Sequence, residues 1–247
     1  MAVYFISDVH LGLGRRDEER AKESRLLGFL KAIFPSTTSL FILGDLFDFW
    51  FEYATVIPKG FHRTLAALQE FTDQGKPVHY LAGNHDFWMG NYFTSELGLQ
   101  LHDEPFEAVL EGKRVYLHHG DGLAQHDLGY RVIKPVLRNR WNIRLYRWLH
   151  PDLGIPLARR SSRSSRDYTM GKDYGESDGM AHFAAKRLGE GSDIVIMGHR
   201  HQPELKQLAS GTYVNLGDWI TFNTYAVLSK GSIALRTWTG ALDTAES

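Results

Sequence analysis

Short apolar runs that stop abruptly at polar residues organise this chain. Residues 2–7 (Ala-Val-Tyr-Phe-Ile-Ser) form a continuous apolar stretch that ends at Asp8. Such a run, without alternation, predicts a strand buried on both faces. Residues 17–34 carry acids early (Asp17, Glu18, Glu19), then Leu26, Leu27, Leu30, Ile33 and Phe34 at helical spacing, then Pro35. That order predicts a helix with a defined stop. Residues 40–43 predict a second buried strand. A second helix is expected over 60–74, with Phe61, Leu65, Leu68 and Phe71 on one face and Gly75 past its end. Residues 77–82, 113–118 and 193–197 predict further strands, the last preceded by a helix around 177–188. The tail differs. Residues 212–216, 224–229 and 232–238 read as strands joined by short turns, hence antiparallel.

Alternating strands and helices followed by a β-rich tail predict a layered α/β/β/α sandwich or a doubly wound sheet with added antiparallel strands. The segment 127–175 breaks the alternation. It places Val132, Ile133, Val136 and Leu137, then Trp141, Ile143, Leu145, Tyr146, Trp148 and Leu149 in a helical pattern. A Pro/Gly hinge (Pro151, Gly154, Pro156) and an Arg/Ser run over 159–166 follow. Lying between two polar endings, it reads as a helical cap inserted into a core made of residues 1–126 and 176–240, with 241–247 a frayed tail.

The polar endings carry the candidate chemistry. Apolar runs close on Asp8-Val9-His10, Gly44-Asp45, Gly83-Asn84-His85-Asp86, His118-His119-Gly120-Asp121 and Gly198-His199-Arg200-His201. In α/β sheets ligands bind beyond the carboxyl ends of strands, and glycine there permits close backbone approach. A Gly-Asn pair by itself marks a turn; the recurrence changes its meaning. Asp8, His10, Asp45, Asn84, His119, His199 and His201 make seven nitrogen and oxygen donors. One catalytic ion does not take so many protein ligands, whereas two divalent ions sharing a carboxylate do. Two such ions against two aspartates leave a net positive site that binds phosphate and acidifies a shared water, whose hydroxide can attack phosphorus in line. His119 is preferred to His118 because it directly precedes Gly120-Asp121. No Ser-His-Asp elbow and no phosphate loop of the Gly-x-x-x-x-Gly-Lys type occurs.

Composition narrows the picture. A chain of 247 residues with 43% hydrophobic residues can bury a large core. No apolar run reaches the ~18 residues a membrane-spanning helix needs, and the N-terminus has no secretory pattern. With no cysteine, disulfides and thiolate metal sites are excluded, which fits a reducing compartment. The net charge of −1 hides a basic block: ten Lys and Arg residues between 131 and 166 face one acid, Asp152. Such a block suits an anionic partner. A binding module gripping nucleic acid or membrane would not need all seven ligands, so no nucleic-acid partner is expected.

In this order the endings resemble the calcineurin-like metallophosphoesterases, whose pattern is D-x-H, GD, GN-H-D/E, H and G-H-x-H. The resemblance implies the four-layer α/β/β/α sandwich with an inserted cap. It implies one ion on Asp8, His10, Asp45 and His201, and a second on Asp45, Asn84, His119 and His199. His85 would polarise phosphate or donate a proton, positioned by Asp86. The longer matches at residues 7–12, 43–50, 198–203 and 216–219 are similar to the UDP-2,3-diacylglucosamine pyrophosphatases of lipid A synthesis. Those enzymes release lipid X and UMP, usually with manganese; iron, zinc or cobalt also suit these donors. That resemblance implies substrate contacts at Asp127, Tyr130, Arg163 and Arg166, and a lipid-linked sugar nucleotide as partner. It also implies a cytoplasmic protein held at the inner membrane face through its basic cap. His85 stands where that family carries Arg after the Asn ligand. The alternative is therefore a paralogue acting on another phosphodiester, nucleotide or phosphomonoester.

Overall fold

The computed structural model describes residues 1–102, 105–123, 135–136, 139–158 and 179–242. Two sheets pack face to face. The first contains β1 (Ala2–Ile6), β2 (Thr37–Leu43), β3 (Val78–Leu81), β4 (Gln100–His102), β10 (Thr224–Ser229) and β11 (Ser232–Thr237), in the order β11-β10-β1-β2-β3-β4. The second contains β5 (Phe106–Leu110), β6 (Lys113–His118), β7 (Ile194–Met197), β8 (Pro203–Leu208) and β9 (Gly211–Leu216), in the order β5-β6-β7-β9-β8. The inner pairs β1/β2, β2/β3, β6/β7 and β7/β9 are parallel; antiparallel strands lie toward the edges.

The unbroken apolar reading of β1 has a direct cause. Ala2, Tyr4 and Ile6 pack with Leu26, Phe29, Leu30 and Ile33 of α1 (Arg16–Ile33), while Val3 and Phe5 point the other way, into the second sheet. Period-two geometry sends alternate residues to opposite faces, and here both faces are covered. α1, α2 (His62–Asp73) and the short α3 (Tyr92–Ser95) cover the first sheet. α5 (Gly179–Gly189) covers the second through Met180, Ala184 and Leu188. Between the sheets lie Phe5, Phe41, Leu43, Leu81, Leu117, Ile196 and Val214, with Phe5 and Phe41 stacked at 5.2 Å. The four-layer α/β/β/α order expected from the motifs is the one observed.

Three local expectations change. β4, β5 and β8 carry too little apolar signal to stand out in the sequence, because they are short or half-exposed edge strands. β9 and β10 are not neighbours: β9 pairs with β7 and β8, β10 with β1 and β11, so residues 217–223 cross from one sheet to the other. The expected Pro/Gly hinge is helical over residues 151–158. Pro151 sits at the first helical position, where a missing N–H costs nothing. Ile155 and Ala158 are fixed by packing against Phe49 and Phe51. A further helix, α4 (Arg140–Tyr146), joins that contact through Ile143 and Tyr146.

Phe5 is fully buried at the centre of the inter-sheet layer. Phe5→Ala should lower unfolding free energy by about 3–5 kcal/mol in a urea titration of the metal-free protein; a loss below about 1 kcal/mol would show that the two sheets do not share this core.

Candidate metal centre

All five polar loops gather where the parallel strands end. They are stitched to one another by backbone bonds: Asp8 N–H donates to Gly44 C=O (3.1 Å), His10 N–H to Asp45 C=O (2.9 Å), and Gly198 N–H to His119 C=O (2.9 Å). The backbone is bent hard at the ligand positions. Among the described residues eight non-glycines have positive φ, and five of them are Asp8, His10, Asp45, His199 and His201. Non-glycine residues in the left-handed region are disfavoured, and surrounding structure must hold them there. Two glycines make the space. A Cβ on Gly83 would collide with the Asp45 carboxylate, and one on Gly44 would lie 2.6 Å from Gly83 and from His119 Nδ1.

The side chains converge in two clusters. In one, Asp8 Oδ1 lies 3.8 Å from His10 Nε2 and 3.6 Å from His201 Nε2. In the other, Asn84 Oδ1 lies 3.0 Å from His119 Nε2 and 2.9 Å from His199 Nδ1. Asp45 Oδ2 stands between them, 3.7 Å from His10 Nε2 and 3.4 Å from His119 Nε2. The structure thus brings together all seven ligands expected from the sequence. His119 is the inward member of its pair: its Nδ1 bonds the Leu43 carbonyl at 2.7 Å, freeing Nε2 for the cluster, while His118 Nδ1 accepts the Gly120 N–H. Asp127, Tyr130, Arg163 and Arg166 lie outside the described residues.

Asp86 departs from expectation. Its carboxylate accepts the Gly83 N–H (2.9 Å), the Phe47 N–H (3.4 Å) and a short bond from the Tyr80 hydroxyl. It therefore ties β3 and the two ligand loops together rather than orienting His85. Burial, with the nearby Asp45 charge, raises the Asp86 carboxyl to about 6. The residue behind His85 is Asp48, whose backbone carbonyl faces His85 Nδ1 at 3.3 Å and whose carboxylate lies 3.5 Å from His10 Nδ1. Asp48 was legible as a lone acid among Leu46, Phe47, Phe49 and Trp50, three residues after Asp45. Asp218 plays a comparable part behind His201, with Oδ2 at 3.3 Å from Nδ1.

These donors fit divalent ions. Asp8 Oδ1, Asp45 Oδ2 and His10 Nε2 are buried, point at one another and have no hydrogen-bond partner. Buried polar atoms without partners are costly and call for an explanation. Nitrogen and oxygen donors without thiolate suit borderline and hard cations. Charge in the metal-free site is arranged to the same end. Burial works against an ionised Asp8, but the nearby His10, 3.8 Å away, and the charges of His201 and His119 hold its carboxyl at about 2. Burial works against a protonated His10, but the carboxylates of Asp48 and Asp8, 3.5 and 3.8 Å from its two ring nitrogens, lift it to about 9.

A buried cluster of two aspartates, an asparagine and four histidines at the strand ends of an α/β/β/α sandwich defines a metal-dependent phosphohydrolase. The family model described as calcineurin-like phosphoesterase matches residues 1–203, and the chain belongs to that family. Curated relatives span the same length. A protein of Porphyromonas gingivalis named UDP-2,3-diacylglucosamine hydrolase is 33% identical, over 94% of this chain and 96% of its own. Proteins of the same name from Aeromonas salmonicida and Haemophilus influenzae are 31% and 29% identical, covering 94% and 87% of this chain and 91% and 90% of theirs.

Metal loading should expel protons near neutral pH, because a divalent ion takes the lone pair that His10 otherwise protonates. Mn²⁺ affinity should therefore rise with pH until His10 is neutral, above about 9. Calorimetric titration in two buffers of different ionisation enthalpy checks this. Equal heats in both, with affinity flat between pH 6 and 8, would contradict it.

Proposed function

We propose that this chain splits the pyrophosphate of a lipid-linked sugar nucleotide, converting UDP-2,3-diacylglucosamine to lipid X and UMP. The observation that supports the reading is that the helical segments 140–146 and 151–158 dock on the loops that carry Asp45 and Asn84, with apolar groups on both faces. Ile143, Tyr146, Ile155 and Ala158 pack against Phe49, Phe51, Tyr53 and Trp88, and Tyr146 lies 5.0 Å from both Phe51 and Trp88. Those aromatics follow Asp45 and Asn84 in their own loops. On the opposite stripe Trp141, Leu145 and Trp148 are 72%, 68% and 87% exposed, with Leu153 and Leu157 also outward. Trp141 and Leu145 lie four apart on one face of α4, and Trp148 follows in the turn after it. Arg144 and Arg147 flank it. Tyr146 therefore belongs to the inner face and does not share a groove with the two tryptophans.

An exposed stripe of Trp and Leu beside arginines suits the surface of an anionic membrane, with the rings at headgroup depth and the guanidiniums on phosphates. No helix among the described residues is long and apolar enough to cross a bilayer. A lipid substrate would thus reach the site from the inner membrane face through the segment 127–175, which we take as the cap. The name carried by the curated relatives supports the same substrate.

Asp8, His10, Asp45 and His201 would hold one divalent ion, manganese in our reading, and Asp45, Asn84, His119 and His199 the other. Bound there, the ions would offset charge on the phosphoryl oxygens and lower the pKa of a water between them. The remaining chemistry belongs to His85. With Nδ1–H donated to the Asp48 carbonyl, Nε2 faces the site 3.9 Å from Asp45 Oδ2. From that position the protonated ring donates a hydrogen bond to phosphoryl oxygen, or a proton to the departing one. Asn84 and Asp45, fixed by Gly83 and Gly44, keep the donors in place.

His85 also favours a second reading. Arg at this position would present a fixed fork to a diphosphate, whereas His offers one donor and a titratable proton. A paralogue acting on another phosphodiester, nucleotide or phosphomonoester follows from that difference.

Purified protein with Mn²⁺ and UDP-2,3-diacylglucosamine in detergent should release UMP. No UMP, together with turnover of soluble nitrophenyl phosphate esters or nucleotides, would replace the first reading by the second. With whichever substrate turns over, His85→Ala should keep both metals and slow kcat by about 10²–10⁴-fold; an unchanged kcat would reduce His85 to support.

A further inference from the structure

His201 is held from behind by a residue on the segment that crosses between the sheets. Asp218 lies in residues 217–223, and its two oxygens do different things. Oδ1 accepts the N–H groups of Ile220 (3.1 Å), Thr221 (2.8 Å) and Phe222 (3.1 Å). Oδ2 faces His201 Nδ1 at 3.3 Å. Across the ring, His201 Nε2 lies 3.6 Å from Asp8 Oδ1. The crossover is itself tied to the site: the next residue, Trp219, donates its N–H to the Asp8 carbonyl at 3.1 Å. Asp218 is 1% exposed.

A carboxylate only accepts hydrogen bonds, so the ring nitrogen facing it must carry the hydrogen. With Nδ1 protonated, Nε2 keeps the lone pair and aims it at Asp8. We propose that Asp218 is a positioning residue: it sets the tautomer and ring angle of His201, so that this histidine can ligate a divalent cation through Nε2. Carboxylates behind ligating imidazoles fix orientation and raise basicity, and their loss weakens metal binding. The three-donor turn on Oδ1 keeps the carboxylate from following the ring, which makes it a fixed reference.

Asp218→Asn separates this role from a purely structural one. The amide oxygen can still accept the three N–H groups, but its NH₂ then faces His201 Nδ1. An N–H donor there moves the ring proton to Nε2, where a metal cannot bind. Metal-free full-length D218N should unfold in urea at the wild-type midpoint. In Mn²⁺ calorimetry one of its two binding steps should weaken about 10–100-fold, with the other unchanged. Asp218→Ala should lose the turn as well, and so lower the unfolding midpoint. If D218N binds both ions as tightly as wild type, the proposal fails. Should D218N not fold, ¹⁵N-histidine spectra of the Zn²⁺-loaded wild type decide. A proton on His201 Nδ1 with zinc on Nε2 supports the proposal, and zinc on Nδ1 overturns it. The inference rests on the two-metal reading; wild-type protein that binds fewer than two ions would sink that reading by a separate measurement.

Discussion

Two carboxylates and four imidazoles share a volume from which water is largely excluded, and the architecture follows from making that tolerable. Asp8 and Asp45 are fully buried, and each keeps one oxygen without a hydrogen-bond partner. Burying ionised groups costs several kcal/mol apiece unless opposite charge lies close. The imidazoles supply that charge in part at Asp8, and the carboxylates of Asp48, Asp8 and Asp45 supply it at His10, which is why burial prevails at neither. Divalent ions would supply it fully. The strain of five ligand residues in left-handed backbone is a second cost. Both are offset by an apolar layer, Phe5, Phe41, Leu43, Leu81, Leu117 and Ile196 among it, that locks the strand ends below the site.

The two sheets divide the labour. Strands β1, β2 and β3 of the first deliver Asp8, His10, Asp45 and Asn84; β6 and β7 of the second deliver His119, His199 and His201. Neither sheet alone assembles either cluster. The seams between them are therefore functional parts. Gly83 and Gly44 let the Asp45 and His119 loops touch, Asp86 pins β3 and its following loop to the Asp45 loop, and the 217–223 crossover braces Asp8 and His201 together. Tyr146, in contact with both Phe51 and Trp88, joins the same loops from outside. A ligand pressing on the helical segment around Tyr146 would thus act on the segments that carry Asp45 and Asn84.

Some of this was readable residue by residue. Continuous apolar runs identified the central strands because those strands are buried on both faces. The edge strands β4, β5 and β8 escaped because half of each faces solvent. The seven ligands were legible because each closes a run, so their positions in the fold followed from the positions of the strands. Asp48 and Asp218 were visible as acids but not as partners. Their roles depend on which ring nitrogen each meets, and sequence distance carries no such information: Asp218 is 17 residues from His201, with β8 and β9 between them.

By itself, then, the sequence determined the layered class, the candidate ligand set and the phosphoester chemistry, because local patterns encode burial and the ends of strands. Only the tertiary structure decided that Asp86 staples loops instead of orienting His85, that β9 and β10 part company, and that Tyr146 turns inward and Trp148 outward. Each is a matter of which of several available partners a group meets. That choice is made by long-range packing of one sheet on the other, where a rotation of one ring or one strand exchanges one neighbour for another without altering any local pattern.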